Sequence, residues 1–250
     1  MLFVAASTHC FPDVTINKSL QRLADLDFNA SEIVVGYATN ELRPEWLVQD
    51  FQAVCRLCLP SRQISPVAFL FNVPSDDPKY FQKFIQCLRL CKVLGVVTVA
   101  IKASPVGTPY NEEFERLVKL VKTGEMHGVI VSLLTEQGAI SSSVDSLESL
   151  CKGIPNLRVA LDPSCFIYGY SVPINFDSIL CYVSHVRLRD TTTKKFQVKI
   201  GQGKLEYNKL VGQLKKYKFS RALCVDIVPL PHLDIESELR KMRLLVESLL

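Results

Sequence analysis

A chain of 250 residues with 48% hydrophobic and 22% charged residues carries enough apolar material for a sizeable core, which excludes disordered and fibrous classes. Its 29 basic and 25 acidic residues leave a net charge of +4, and the one strongly basic run, Lys215-Lys216-Tyr217-Lys218, reads as a solvated helix end rather than a nucleic-acid patch. The longest stretch free of Asp, Glu, Lys and Arg, from Pro163 to Phe176, is broken by proline and glycine and is shorter than the roughly 20 residues of a membrane span.

The chain opens on Met1-Leu-Phe-Val-Ala-Ala-Ser, with no lysine before Lys18 and no long apolar segment. It thus lacks the features of a secretory signal, and an intracellular, cytoplasmic protein is expected. Phe3-Val-Ala-Ala is the first of eight short apolar runs. The others are Ile33-Val-Val, Val67-Ala-Phe-Leu-Phe, Val96-Val-Thr-Val-Ala-Ile, Val129-Ile-Val-Ser-Leu-Leu, Leu157-Arg-Val-Ala-Leu, His185-Val-Arg-Leu and Ala222-Leu-Cys-Val-Asp-Ile. Between them, apolar residues recur at three and four positions, as in Leu20, Leu23, Ala24 and Phe28, or Phe81, Phe84, Ile85 and Leu88, so each run is expected to be followed by a helix. Asp76-Asp77-Pro78 and Asn111-Glu112-Glu113 supply caps, first-turn acids and a first-turn proline for two of these helices.

Asp50-Phe-Gln-Ala-Val-Cys-Arg-Leu-Cys-Leu59 reads as a helix, so its Cys55 and Cys58 are packing residues rather than half of a zinc site, and no second pair completes four ligands. Cys87 and Cys91 read the same way, and the nine cysteines are expected to be reduced thiols, most of them buried. Trp46 is expected to cap a helix start or cover a barrel edge. Gly201-Gln-Gly203 is expected to make a turn, with phosphate binding as the alternative.

The runs are spaced about 31 residues apart from Phe3 to Ala222, the length of one strand and one helix when some 250 residues are divided by eight. Several are apolar on successive residues and rich in Val and Ile, as parallel strands covered on both faces must be. No Gly/Ser tract or charge block marks a linker. The expected architecture is a single-domain (β/α)8 TIM barrel over residues 1–250. An open doubly wound sheet is disfavoured because no GxGxxG follows the first strand.

Such barrels build their sites at the C-terminal ends of the strands. Polar groups stand there: Glu136, Asp162, Arg187, Arg189, Asp190 and Asp226 follow or end four of the runs, Lys102 ends the fourth, and Glu32 and His9 lie near the ends of the second and first. Alternation puts His185, Arg187 and Arg189 on one strand face. If that face points inward, Glu136, Asp162 and Asp226 meet in one mouth. Carboxylates that close together raise one another's pKa, so a divalent metal or the arginines must balance them. The loop residues Phe166, Tyr168 and Tyr170 either form an exposed apolar face or fold over the mouth as a lid.

Asn29-Ala-Ser-Glu32, Thr135-Glu136-Gln137, Leu161-Asp162-Pro-Ser-Cys165, His185-Val-Arg-Leu-Arg-Asp190, Gln197-Val-Lys-Ile-Gly-Gln-Gly203 and Val225-Asp226 resemble, in order and spacing, the sugar phosphate isomerase/epimerase family with the xylose isomerase-like TIM barrel. The resemblance spans essentially the whole chain. It implies a divalent metal, often Mn or Mg, held by a Glu, an Asp, a His and a second Glu, with the two Glu flanking the substrate carbon. Glu136 matches the first Glu and Asp162 the Asp. Asp226 stands where the second Glu is usual, Arg187 where the metal-binding His is usual, and Cys165 where a His often follows the Asp. An arginine has no lone pair for a metal, and Asp is shorter than Glu by one carbon–carbon bond, about 1.5 Å.

Two readings follow. In the first, the protein is an isomerase or epimerase of a small sugar, sugar acid or sugar phosphate. Glu136 and Asp226 are then the acid/base pair, and His9, Lys102, Arg187 and Arg189 bind substrate. The electrophile is a metal on Glu136, Asp162 and Asp226, or Arg187 in its place. In the second, the barrel is degenerate and metal-free, Arg187 pairs with Glu136 or Asp162, and the mouth binds a small anionic ligand or a partner without turnover. A metal-dependent nuclease is disfavoured: of the four histidines, His127 precedes a strand and His232 sits among prolines, away from His9 and His185.

Overall fold

The computed structural model describes residues 1–58 and 64–250. Eight strands close into a barrel in sequence order. They are β1 (Phe3–Ser7), β2 (Ala30–Val35), β3 (Ser65–Phe71), β4 (Thr98–Ile101), β5 (Ile130–Leu134), β6 (Arg158–Leu161), β7 (Val183–Leu188) and β8 (Ala222–Val225). All neighbours are parallel, and β1 seals the ring against β8 with Phe3 opposite Ala222 and Ala6 opposite Val225. Each of the eight apolar runs falls on a strand, because β-branched residues buried on both faces suit a parallel sheet roofed by helices.

The helices are α1 (Ile16–Asp25), α2 (Pro44–Gln49), α3 (Phe51–Cys58), α4 (Tyr80–Leu94), α5 (Tyr110–Met126), α6 (Val144–Gly153), α7 (Tyr207–Lys216) and α8 (Ile235–Glu247). The helix read at Asp50–Leu59 is α3, with Leu59 outside the described residues. One expectation fails: between β6 and β7 there is no α-helix, only the short 3-10 turns Pro163–Phe166 and Asp177–Tyr182. Pro163, Pro173 and Gly169, at φ +84°, interrupt that segment.

Two helix starts also lie off their expected caps. Helix α4 begins at Tyr80, beyond Pro78, and Asp77 accepts the Lys79 N–H at 2.8 Å. Helix α5 begins at Tyr110 after Pro109, so Asn111 is not its cap, while Glu112 and Glu113 fall in its first turn as expected and Glu113 bonds Ser104.

Side chains on the outer faces of the strands, such as Phe69 and Phe71, pack against Phe84, Leu88, Leu117 and Leu147 of the helices in one continuous core. The barrel interior is uneven. Beneath β2 to β6 an apolar layer of Val34, Leu70, Ala100, Leu134 and Ala160 fills it. On the side of β8, β1 and β2 the lining is small: Ala5, Ala30, Ala222 and Cys224. Alanines occupy little volume, and the room they leave is taken by buried Glu32, His185 and Arg187.

Two register shifts aim those residues. Against β6, β7 skips one residue, so Val183 faces Val159 and His185 faces Ala160. The extra residue, Ser184, hydrogen-bonds Ser132 inside the barrel, with Oγ atoms 2.5 Å apart. From His185 onward, alternate residues of β7 then point inward. Between β2 and β3 the shift lies at Ser31/Glu32, beside Pro66, which has no N–H to give the ladder.

All nine cysteines are free thiols. Burial pushes those of Cys58 and Cys151 up to about 12, consistent with the packing reading. No helix among the described residues is long and apolar enough to cross a membrane. Lys215, in the basic run, lies in the last turn of α7 and donates to backbone oxygens of Leu249 and Leu250.

Candidate functional site

A cavity of about 180 Å³ opens at the C-terminal ends of the strands, lined by His9, Lys102, Glu136, Asp162, Arg187, Arg189 and Asp226 but not by Glu32 or Asp190. His9 sits in the 3-10 turn after β1. The neighbouring Thr8 fixes that turn, its Oγ1 accepting the Val34 N–H at 3.2 Å and its carbonyl the Asn40 amide at 3.0 Å. Glu32 lies within β2, wholly buried, rather than at its end.

The charges form one network. Arg187 Nε is 3.2 Å from Glu32 Oε1, and Arg187 Nη2 is 3.1 Å from Asp226 Oδ2. Arg189 Nη2 reaches Asp162 Oδ2 at 2.9 Å and also pairs with Asp226. His185 Nε2 is 2.7 Å from Glu32 Oε2, and His9 Nδ1 is 3.1 Å from Asp226 Oδ1. Three carboxylates are thus met by two guanidiniums and two imidazoles. The expectation that Arg187 pairs with Glu136 or Asp162 is corrected: its partners are Glu32 and Asp226, while Arg189 takes Asp162. Glu136 stands at the rim instead, 3.1 Å from Lys102 Nζ.

Asp190 leaves the cluster altogether. The strand ends at Leu188, and the Asp190 carboxylate turns into the following loop to accept the N–H groups of Gly201 at 2.7 Å and Gly203 at 3.0 Å. The GxG is therefore the turn expected of it, with a carboxylate in the amide cradle. A Cβ on residue 203 would lie 1.7 Å from Asp190 Oδ1, which is why glycine stands there.

Burial opposes ionisation of Asp226, but Arg187, Arg189 and the His9 hydrogen bond outweigh it and hold the carboxyl far below its usual range. Burial likewise disfavours the Glu32 carboxylate, and Arg187 with His185 reverses that. Burial also pushes the Cys165 thiol up to about 12, so it faces the cavity as a neutral thiol. The Nε and Nη2 of Arg187 and the Nε of Arg189 have no directed hydrogen bond in spite of these ion pairs. Arg189 also stacks on Phe196, its guanidinium 4.5 Å from the ring centre, and Tyr168 meets that ring edge-on at 5.6 Å. Phe166, by contrast, is a core residue stacked on Phe176. The loop after β6 therefore folds toward the mouth.

Sequence reasoning missed Glu41, Asn72, Gln137 and Phe196 as lining residues. Glu41 accepts from the Asn72 amide at 2.8 Å, a pairing between two loops that no spacing in the chain announces. His127 ends α5 with Nδ1 2.9 Å from the Thr123 carbonyl, and His232 lies in the loop before α8, so neither joins the site. Trp46 is exposed in the first turn of α2.

The residues present do not suit a divalent metal at the mouth. Arg187 offers no lone pair, Asp162 spends Oδ1 on Ser164 and Oδ2 on Arg189, and Asp226 is already saturated. Glu136 faces Lys102. Deeper in the barrel, Glu32, His185 and Cys224 place one ligand atom each within 4.8 Å of one another. There too Glu32 is already engaged by His185 and Arg187.

A closed parallel barrel with a charged cavity at its C-terminal mouth defines an α/β-barrel protein whose site is built from strand ends. Residues 20–245 match the Xylose isomerase-like TIM barrel family, and the chain belongs to it. Among solved structures it is similar to a D-tagatose 3-epimerase-like protein, with TM-score 0.75, 16% identity and coverage of 99% of this chain and 98% of that one. It is also similar to the IOLI protein with a bound zinc atom, with TM-score 0.75, 17% identity and coverage of 99% and 98%. A third similar structure is a Xylose isomerase-like TIM barrel protein from Mycobacterium smegmatis in complex with magnesium, with TM-score 0.76, 12% identity and coverage of 99% and 97%. No curated protein matches the sequence.

Proposed function

We propose that this chain is a metal-independent isomerase/epimerase-like protein for a small sugar, sugar acid or sugar phosphate, with Arg187 and Arg189 standing in for the metal of its relatives. One observation carries the reading: both guanidiniums line the cavity and sit among Glu32, Asp162 and Asp226. A fixed cation at that place can take the charge that develops on a substrate oxygen when a proton leaves the adjacent carbon. Glu136, at the rim beside Lys102, is one acid/base group, and Lys102 meets a hydroxyl or phosphate of the substrate. The epimerase-like neighbour and the family support the substrate class.

The test is solvent deuterium exchange at the carbon next to the carbonyl of D-ribulose and D-ribulose 5-phosphate, followed by proton NMR on protein stripped with EDTA. Exchange that persists without metal and falls in Glu136→Gln supports the reading. Exchange that needs added Mn or Mg overturns it. A second reading, binding without turnover, is favoured by the engagement of both Asp226 oxygens, one by His9 and the other by Arg187 and Arg189. Calorimetric binding of either compound without exchange would select it.

A further inference from the structure

We propose that the His9–Asp226 pair is a proton-transfer dyad, with His9 Nε2 as the group that takes and returns the substrate proton and Asp226 as the residue that positions it. The proposal rests on the metal-independent reading above and supplies the second acid/base group beside Glu136.

The argument begins with exposure. The Asp226 side chain is 0% exposed and the His9 side chain 40%, so the pair has a dry carboxylate behind and a free ring edge in front. His9 Nδ1 lies 3.1 Å from Asp226 Oδ1, and Nε2 has no hydrogen-bond partner among the described residues while the ring lines the cavity. Asp226 Oδ2 is held by Arg187 and Arg189, which keep the carboxylate ionised. An ionised carboxylate only accepts hydrogen bonds, so Nδ1 must be the N–H donor to it. The neutral ring then carries its lone pair on Nε2, the atom left facing the mouth.

The other groups at the floor are spent. Asp162 is held by Ser164 and Arg189, and Cys165 is a neutral thiol. The main chain that carries His9 is rigid: Ser7 Oγ accepts the His9 N–H at 3.3 Å, and Thr8 is tied to both Val34 and Asn40.

The step balances without a co-reactant. Nε2 takes the proton from the carbon next to the carbonyl, the C–H electron pair becomes the carbon–carbon double bond of an enediolate, and the carbonyl π pair moves onto oxygen, facing Arg187 and Arg189. Return of the proton from Nε2 to the neighbouring carbon, with transfer of the hydroxyl proton, gives the isomer. Delivery of a different proton to the other face of the same carbon by Glu136, protonated from solvent beforehand, gives the epimer. Nε2 then gives its proton to water and Glu136 takes one back. Asp226 offsets the imidazolium formed between the two transfers.

The experiment uses the EDTA-treated full chain with D-ribulose and D-ribulose 5-phosphate in deuterium oxide. His9→Asn is expected to lower exchange by about 10²- to 10⁴-fold, the usual worth of a general base, while calorimetric affinity for the same compounds and the melting temperature hold. Nitrogen-15 NMR of the unmodified protein is expected to show His9 protonated at Nδ1, and Asp226→Asn is expected to mix the two tautomers. Exchange that survives His9→Asn but is lost in Arg187→Met overturns the dyad and leaves the arginine reading standing. A wild-type protein that binds the compounds without exchanging them, or a His9 ring protonated at Nε2 alone, also overturns the dyad. Exchange that appears only with added metal overturns the underlying reading instead.

Discussion

Arg187 of β7 and Glu32 of β2, on strands that share no edge, meet inside the barrel with Nε and Oε1 3.2 Å apart and the carboxylate wholly buried. The contact joins distant parts of the sequence across a lining of alanines and fixes a positive charge inside the barrel. Its cost and its benefit are both large, because two charges without water require each other.

Removing the cation alone should therefore be severe. Arg187→Leu leaves Glu32 and Asp226 buried without their shared partner, and we expect a loss of about 3–5 kcal/mol in urea denaturation, the usual cost of breaking a buried ion pair from one side. A loss below about 1 kcal/mol would mean that water already reaches these carboxylates.

Acid should undo the same network. Glu32 and Asp226 have folded-state pKa values held below their ordinary ones by Arg187 and its neighbours, so the unfolded chain binds more protons in acid. Their stabilisation is complete above the ordinary carboxylate values, about pH 4, and is lost as pH falls toward the lower folded values. Denaturation midpoints measured from pH 6 down to pH 2 should fall, and Asp226→Asn should flatten the slope. An equal slope in that variant would remove Asp226 from the account.

The rim pair should behave differently. Lys102 and Glu136 are 42% and 40% exposed, so solvent screens their 3.1 Å contact. Lys102→Met or Glu136→Gln should shift stability by less than about 1 kcal/mol, checked by thermal melting, and exert its effect on exchange or binding of the sugar.

Gly203→Ala tests the loop after β7. The new methyl would collide with Asp190, forfeiting the amide hydrogen bonds that hold residues 190–204 in place. We expect about 1–3 kcal/mol of destabilisation and faster tryptic cleavage at Lys194 or Lys195. An unchanged cleavage rate would show that Asp190 does not anchor the loop.

The barrel was legible because each strand is a local signal: a short Val- and Ile-rich run at regular spacing is recognisable without knowing its neighbours. The crossover between β6 and β7 was not, since Pro163, Gly169 and Pro173 override the expectation set by the other units. The strand-end part of the mouth was legible, because strand ends carrying Glu136, Asp162, Arg187 and Asp226 face one place in any such barrel, whereas the loop residues Glu41, Asn72 and Phe196 were not. The pairing inside it was hidden. Whether Arg187 reaches Glu32 or Glu136 depends on the skipped residue at Ser184 and on the small side chains of β1 and β8, which are facts of packing between distant segments. Asp190 was misplaced for a related reason: one residue beyond the inward-facing Arg189, it belongs to the loop.

The most direct measurement is metal binding itself. Protein purified and then dialysed against Mn, Mg or Zn should retain no stoichiometric ion by elemental analysis, and calorimetric titration with each metal should show no site in the mouth. One equivalent of a divalent metal per chain, retained by the native protein and lost in Asp162→Asn, would contradict the assignment of Arg187 and Arg189 to the metal's place.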